Sequence, residues 1–313
     1  MTRLSPNGVA VALAGALLVA ACSSSGANGT GGTGGSGGGM DAGMEPDGSM
    51  PGPTCNGHEE LCDRAFDEVA YPMTHNAMSN AAAGWLSPNQ NFGITTQLDA
   101  GIRGLMLDTY DVDGELLLCH LICSEAVGQL PLVDGLDEIR AFLEGNPDEV
   151  VSIIFENYIS NAQTASAFED SGLIDFVYAQ EIGEPWPTLG DLIAADTRLV
   201  VFQESLPTED EFPWLMNIWE YAWETHFSAA APEDFSCDPN RGDPDNPLFL
   251  INHFLTGVLG GSPAFAEMVN YNPFFIDRVN QCEDESGDFA NFIAVDFYDI
   301  GDVLEVVDEV NGF

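Results

Sequence analysis

Residues Gly101 to Cys123 read GIRGLMLDTYDVDGELLLCHLIC, which sets a carboxylate and an imidazole at the ends of two apolar runs. Leu105-Met106-Leu107 leads into Asp108, and Leu116-Leu117-Leu118 leads into Cys119-His120. Between them, Asp113-Gly114 is a strong turn signal. The pattern predicts two short buried strands, each delivering a titratable side chain at its C-terminal end. Such groups cost free energy beside oily strands unless they are paired, bound to metal or used. In this stretch alone, an Asp and a His that merely hydrogen-bond at a sheet edge would look the same.

The elements that must position them follow from the rest of the chain. From Val69 onward, short apolar runs alternate with longer connections. Strands are expected at Val69 to Thr74, Gly104 to Leu107, Leu116 to Cys119, Val150 to Phe155, Leu199 to Phe202, Trp219 to Trp223, Leu248 to Ile251 and Phe292 to Val295. Helices are expected at Leu136 to Leu143, Thr164 to Phe168 and Ala264 to Asn270, with an amphipathic helix from Asp302 to Val310. Buried strands separated by crossovers argue for an α/β fold with a closed parallel barrel. The connection from Asp108 to Leu116 is too short for a helix, so the barrel is irregular.

The runs finish in His75-Asn76, Asp108, His120, Glu156-Asn157, Gln203-Glu204, Glu224-His226, Asn252-His253 and Asp296. In a parallel barrel these ends converge on one face. A ring of acids and imidazoles is poorly explained by stability, because packing them together costs desolvation and repulsion. For His253, Glu204 and Glu224 a structural hydrogen bond is the simpler account.

Seven basic residues, all Arg, face 51 acids, for a formal net charge of −44. That surface repels nucleic acid and anionic membranes, which excludes a nucleic-acid partner. It suits a chain working in salt, or one that makes many weak divalent-cation contacts. Residues 1–21 carry Arg3 and an apolar run into Ala20-Ala21-Cys22, which resembles a bacterial lipoprotein signal peptide; a plain secretory signal is the alternative. Residues 22–54 are Gly- and Ser-rich and too poor in apolar surface to fold, so they read as a flexible tether. The expected location is therefore the cell envelope outside the cytoplasm, lipid-anchored through Cys22, with residues 55–313 as the folded domain. Six cysteines remain, an even number that favours disulfides in an exported chain. Sequence proximity pairs Cys55 with Cys62, Cys119 with Cys123, and Cys237 with Cys282.

Several of these stretches together resemble the phosphatidylinositol-specific phospholipase C X domains and, more closely, the PLC-like phosphodiesterases. They are Thr74-His75-Asn76, Gly101-Ile102-Arg103 through Asp108, Cys119-His120, and Val150 through Asn157. Arg198 to Phe202, Leu250 to Phe254 and Ala290 to Tyr298 continue the likeness. The resemblance implies a distorted TIM barrel that cleaves a phosphodiester with two histidines. By motif, His75 resembles the base, His120 the acid, and Asp296 the carboxylate that orients His75. Asn76, Asp108 and Glu156 resemble the metal set of the calcium-dependent members, so the implied cofactor is Ca²⁺ or Mg²⁺. Metal-independent members carry an Arg where this chain has Asp108. The chain also departs from the calcium-dependent pattern, with Met106 where a second acid is expected. The implied substrate is a phospholipid headgroup or related phosphodiester. The alternatives are a phosphodiesterase for a glycerol- or choline-type substrate, and an inactive barrel serving as a cell-surface binding module.

Overall fold

The computed structural model describes residues 54–313 apart from 121, 258 and 259. The expected signal peptide, Cys22 and nearly all of the tether lie outside the described residues. No described helix is long and apolar enough to cross a membrane.

Eleven strands form one sheet among the described residues: β1 (Tyr71–Thr74), β2 (Gly104–Val112), β3 (Glu115–Leu118), β4 (Leu130–Pro131), β5 (Val151–Asn157), β6 (Leu199–Gln203), β7 (Leu215–Asn217), β8 (Ala222–Thr225), β9 (Pro239–Gly242), β10 (Leu248–Asn252) and β11 (Ala290–Val295). The main order is β7-β6-β5-β2-β1-β11-β10-β8-β9. Every pair from β7 through to β8 is parallel, and β11 lies beside β1, so the last stave closes on the first. Eight parallel staves therefore run around the molecule in chain order. No ladder joins β7 to β8 among the described residues, which leaves one open seam. This is the distorted TIM barrel expected from the sequence.

Two staves differ from expectation. The run Leu116 to Cys119 is not a barrel strand: β3 folds back antiparallel on the far end of β2, through the Asp113-Gly114 turn. The missing stave is β7, three residues long and too short to give a periodic signal. Trp219 to Trp223 begins as a 3-10 turn (Ile218–Glu220) before β8 starts at Ala222.

Seven helices lie among the described residues: α1 (Ile94–Asp99), α2 (Leu132–Gly145), α3 (Asn161–Ser171), α4 (Leu189–Ala194), α5 (Pro263–Val269), α6 (Phe274–Ser286) and α7 (Val303–Asn311). α2 buries Leu132, Leu136, Ile139 and Leu143 at helical spacing, and stops just before Asn146-Pro147. α3 begins at Ser160, whose Oγ accepts from Gln163 N–H while the Gln163 side chain reaches back to Ser160 N–H.

The barrel has two apolar layers, and strand alternation assigns residues to them. Tyr71, Met73, Ile154, Val200, Phe202, Leu250, Phe292 and Ala294 fill the interior. Their odd neighbours Leu105, Leu107, Ile153, Phe155, Val201, Ile251, Ile293 and Val295 pack outward against helices. With both faces covered, the strands become the continuous Val, Ile and Phe runs seen in the sequence. Cys55–Cys62, Cys119–Cys123 and Cys237–Cys282 are bonded as sequence proximity suggested.

Candidate active site

The same alternation sets the mouth of the barrel. One step beyond each inward apolar residue comes a polar one: His75 after Met73, Asp108 after Met106, Glu156 after Ile154, Glu204 after Phe202, Asn252 after Leu250, Asp296 after Ala294. His75, Asp108, Glu156, Glu204 and Asn252 line one recess of ≈ 530 Å³ together with Met106, Ile154, Phe227, Arg241 and Phe254.

His75 Nδ1 lies 2.9 Å from Asp296 Oδ1, and the carboxylate is nearly buried. Asn89 donates to the same oxygen at 3.0 Å. Phe254 stacks on the His75 ring at 4.0 Å. The ring is therefore fixed on one face and along one edge, and Nδ1–H toward Asp296 leaves Nε2 facing the recess as a base. Gly261 belongs to the loop after β10; a Cβ there would fall 2.0 Å from Asp296 Oδ2, so only glycine lets that loop cover the carboxylate.

The backbone turns sharply on both sides of this pair. Asn76 has φ 49 and Phe297 has φ 50. The left-handed region suits Asn but strains Phe, and Phe297 is fully buried, with its N–H on Asn89 O at 2.8 Å. The strained position, Phe297, directly follows Asp296 at the mouth of the barrel.

The Asn76 amide meets His75 Nε2 at 3.0 Å and has two orientations. With Nδ2 donating to His75, Oδ1 faces the Asp108 carboxylate; turned over, the amide nitrogen donates to Asp108 at 3.1 and 3.2 Å and its oxygen accepts from His75. The turned orientation needs a proton on Nε2 as well as on Nδ1, an imidazolium; the neutral Nδ1–H tautomer goes with the first orientation. The first leaves an amide oxygen and a carboxylate facing one another, the arrangement a cation relieves. Asp108 is 5% exposed and sits in register with Glu156 on β5. Burial, then Glu156 and Glu204, push its carboxyl well above the usual range. Asn76, Asp108 and Glu156 thus gather two carboxylates and an amide oxygen, a donor set suited to a hard divalent cation. Among the described residues there is no group of three or more His, Cys, Asp or Glu placed to hold a metal. Tyr158 donates a short hydrogen bond to Glu156.

His120 reaches the mouth from outside the barrel, at the end of β3 and beside the Cys119–Cys123 bridge. A Cβ at Gly260 would lie 3.7 Å from His120 Cε1, which places the ring under the same loop that covers Asp296. Burial lowers its pKa from 6.5; the His75 charge adds to the lowering, and Asp296 and Glu156 oppose it. His120 and Asp296 thus lie under neighbouring glycines of one loop, Gly260 and Gly261, beside the recess that His75 and Glu156 line.

The rest of the expected ring divides by parity. Glu224 is fully buried and accepts from Asn252 at 2.9 Å and Asn240 at 2.8 Å. Asn157 and Gln203 face outward and bond each other at 2.7 Å. His226 is exposed. His253 also faces outward, stacked on Phe275 at 3.8 Å, with its Nε2 2.9 Å from Val269 O. It is a structural histidine, and burial holds it well below 6.5.

Arg241 was not legible as a site residue. It lies on β9, and Gly242 after it has φ 80, with space for a Cβ blocked by Ala222 O at 2.1 Å. β9 can therefore press flat on β8 and turn Arg241 into the recess. Its guanidinium bonds Glu204 at 2.6 and 3.2 Å and Glu224 at 2.5 and 3.1 Å. Trp219 and Phe227 rings lie 4.3 and 4.8 Å from it. Burial opposes its charge, but the two carboxylates outweigh it and hold Arg241 protonated. Asn89 was missed as well, since it sits in a loop without periodicity.

The family described as PI-PLC X 1 matches residues 61–311. The chain belongs to the PI-PLC X family. A PI-PLC X domain-containing protein of Arabidopsis thaliana is 34% identical over 272 residues, covering 79% of this chain and 62% of that protein. PI-PLC X domain-containing protein 1 of Arthroderma benhamiae is 31% identical, covering 82% and 89%. An uncharacterized secreted protein of the same fungus is 29% identical, covering 80% and 61%. The chain thus spans about three fifths of the Arabidopsis relative and of the secreted fungal one. Among solved structures, a variant of the phosphatidylinositol-specific phospholipase C of Staphylococcus aureus shares the fold with a TM-score of 0.56 at 12% identity, covering 80% of this chain and 94% of that one.

Proposed function

We propose that this PI-PLC X protein is a phosphodiesterase that cleaves a phospholipid headgroup or related diester with His75 and His120. The observation that carries the reading is the His75 Nδ1 to Asp296 contact at 2.9 Å, with His120 under the loop that also covers Asp296. Asp296 and Asn89 hold His75 in the tautomer whose Nε2 accepts a proton. An attacking hydroxyl gives that proton to Nε2 as its oxygen bonds phosphorus. Protonated His120 gives its own proton to the departing alkoxide as the P–O bond breaks. A neighbouring hydroxyl on the substrate yields a cyclic phosphate; a water yields the open monoester.

Asn76, Asp108 and Glu156 would hold Ca²⁺ or Mg²⁺, which when bound supplies positive charge to the phosphate oxygens. Arg241 is a poor substitute, since Glu204 and Glu224 already occupy four of its five N–H groups. A second reading, a choline-type headgroup, is favoured by the same recess: its acids exceed its bases, and Phe227 and Phe254 are among its lining residues.

Three disulfides and a relative named as a secreted protein support an extracellular protein. Attachment to a membrane through an acylated Cys22 belongs to the same reading.

The test is turnover of inositol-, glycerol- and choline-containing diesters, with Ca²⁺ and with chelator. His120→Ala and His75→Ala should each reduce turnover of the preferred diester by about 10² or more. An H120A variant as fast as wild type removes His120 from the mechanism. A wild-type protein inert on all three diesters leaves the binding-module alternative.

A further inference from the structure

Outside the mouth, one charged group lacks the partners that burial demands. Arg278, in the second turn of α6, is 6% exposed. Its Nη1 reaches His253 Nδ1 at 3.3 Å, and Phe235 covers its guanidinium at 4.2 Å. Nε and Nη2 are buried and bond nothing. Buried Arg198 and half-buried Arg103 and Arg241 behave differently: Arg103 pairs with Glu149, Arg198 with Asp196, and Arg241 with Glu204 and Glu224. In a chain with 51 acids, Arg278 has none as an ion-pair partner among the described residues. Burial alone lowers it, to about 10, so it stays charged at neutral pH.

An uncompensated buried cation costs several kcal/mol, roughly, unless a counter-charge is supplied. Nor can His253 supply one, because an imidazole is either neutral or cationic. The two idle donors are adjacent N–H groups on one edge of the guanidinium, a parallel fork that matches two oxygens of one planar oxyanion. Arg278 also borders a recess of ≈ 540 Å³ with Phe235 and Phe274 on its walls, and Asp277 and Gln281 beside it. Phe235 and Phe274 lie 6.2 Å apart, and Phe274 is 39% exposed. The wall chemistry is apolar and aromatic, and the one charged neighbour, Asp277, disfavours a dianion.

We propose that this recess is a binding site for a small organic carboxylate, an apolar body seated between Phe235 and Phe274 with its two oxygens on Nε–H and Nη2–H of Arg278. Phe235 is half-buried on the loop between β8 and β9, and the proposed complex requires it to swing aside and uncover Nε and Nη2, which are otherwise closed off. The site is separate from the phosphodiester centre, so it stands or falls independently of it.

The experiment is calorimetric titration of the full chain with benzoate at a constant ionic strength of about 0.5 M, which keeps screening of the net charge fixed. Benzoate should bind saturably. Benzamide, with the same body and no charge, should bind at least about tenfold more weakly, and sulfate more weakly than benzoate. Arg278→Lys keeps the charge and removes the fork, and should weaken benzoate by about tenfold. His75→Ala should leave benzoate binding unchanged. The proposal is overturned by no saturable benzoate binding, by equal binding of benzamide, by tighter binding of sulfate, or by an R278K variant with wild-type affinity. Where R278K does not fold, the three ligands on wild type still decide.

Discussion

His75, Asp108, Glu156 and Asp296 reach one hollow because each sits two positions beyond an inward apolar residue. His253, a single position past Asn252, points to the helices and becomes a packing residue. Two predictions belong at this scale. In the proposed mechanism His120 must be protonated to act as the acid, and burial followed by the His75 charge lowers its pKa from 6.5. Activity should therefore fall as pH rises, with the alkaline limb of kcat/KM setting in below 6.5; a plateau out to about pH 8 would contradict the acid role. Asp108 has the opposite shift. Its folded pKa is raised, so its contribution to stability is full below the unfolded pKa and is lost as pH rises through the folded one. At neutral pH in chelator the buried carboxylate is a liability. Asp108→Asn should raise Tm by roughly 2–4 °C there while sharply reducing activity, a trade-off scanning calorimetry and assay can read together.

The elements that carry the site are unequal in how they are held. β1, β2, β5 and β11 are central staves, fixed by neighbours on both sides. β3 and β9 are antiparallel additions, and each brings one mouth residue, His120 and Arg241. The loop between β8 and β9 and helix α6 are tied by Cys237–Cys282, with a sequence separation of 45. Loop-closure entropy then assigns this bridge about 4 kcal/mol, against about 2 kcal/mol for the four-residue Cys119–Cys123 loop. The Cys237→Ser/Cys282→Ser double variant should lose correspondingly more stability in denaturant titration than Cys119→Ser/Cys123→Ser. The second pair should instead cost turnover, because it stiffens the approach to His120. Equal losses of stability would show that chain entropy is not what the bridges supply.

At the scale of the whole molecule, charge dominates. A formal net charge of −44 opposes the compact state through self-repulsion, and salt screens it. Raising NaCl from about 0.01 to 1 M should increase Tm by several degrees, since the Debye length shrinks from roughly 30 to 3 Å. A Tm independent of salt would mean that the acids are already neutralised by bound cations. The same field repels anionic bilayers, so a soluble or zwitterionic diester is the better first substrate.

Taken alone, the amino-acid order marked seven of the eight staves, because strands covered on both faces must be continuous apolar runs, and proximity along the chain suggested the disulfide pairs that the structure bonds. The ends of those runs, together with the family resemblance, also named His75, Asp108, His120, Glu156 and Asp296. Tertiary structure decided what periodicity does not encode. β7 is too brief to show a pattern, and β3 doubles back where a stave was expected. Arg241 enters the mouth through an antiparallel strand pressed flat by Gly242, and Arg278 is stranded without an acid by the packing of α6. Those outcomes depend on which distant segments meet, and the energies that select them lie in long-range contacts rather than in any local run of residues.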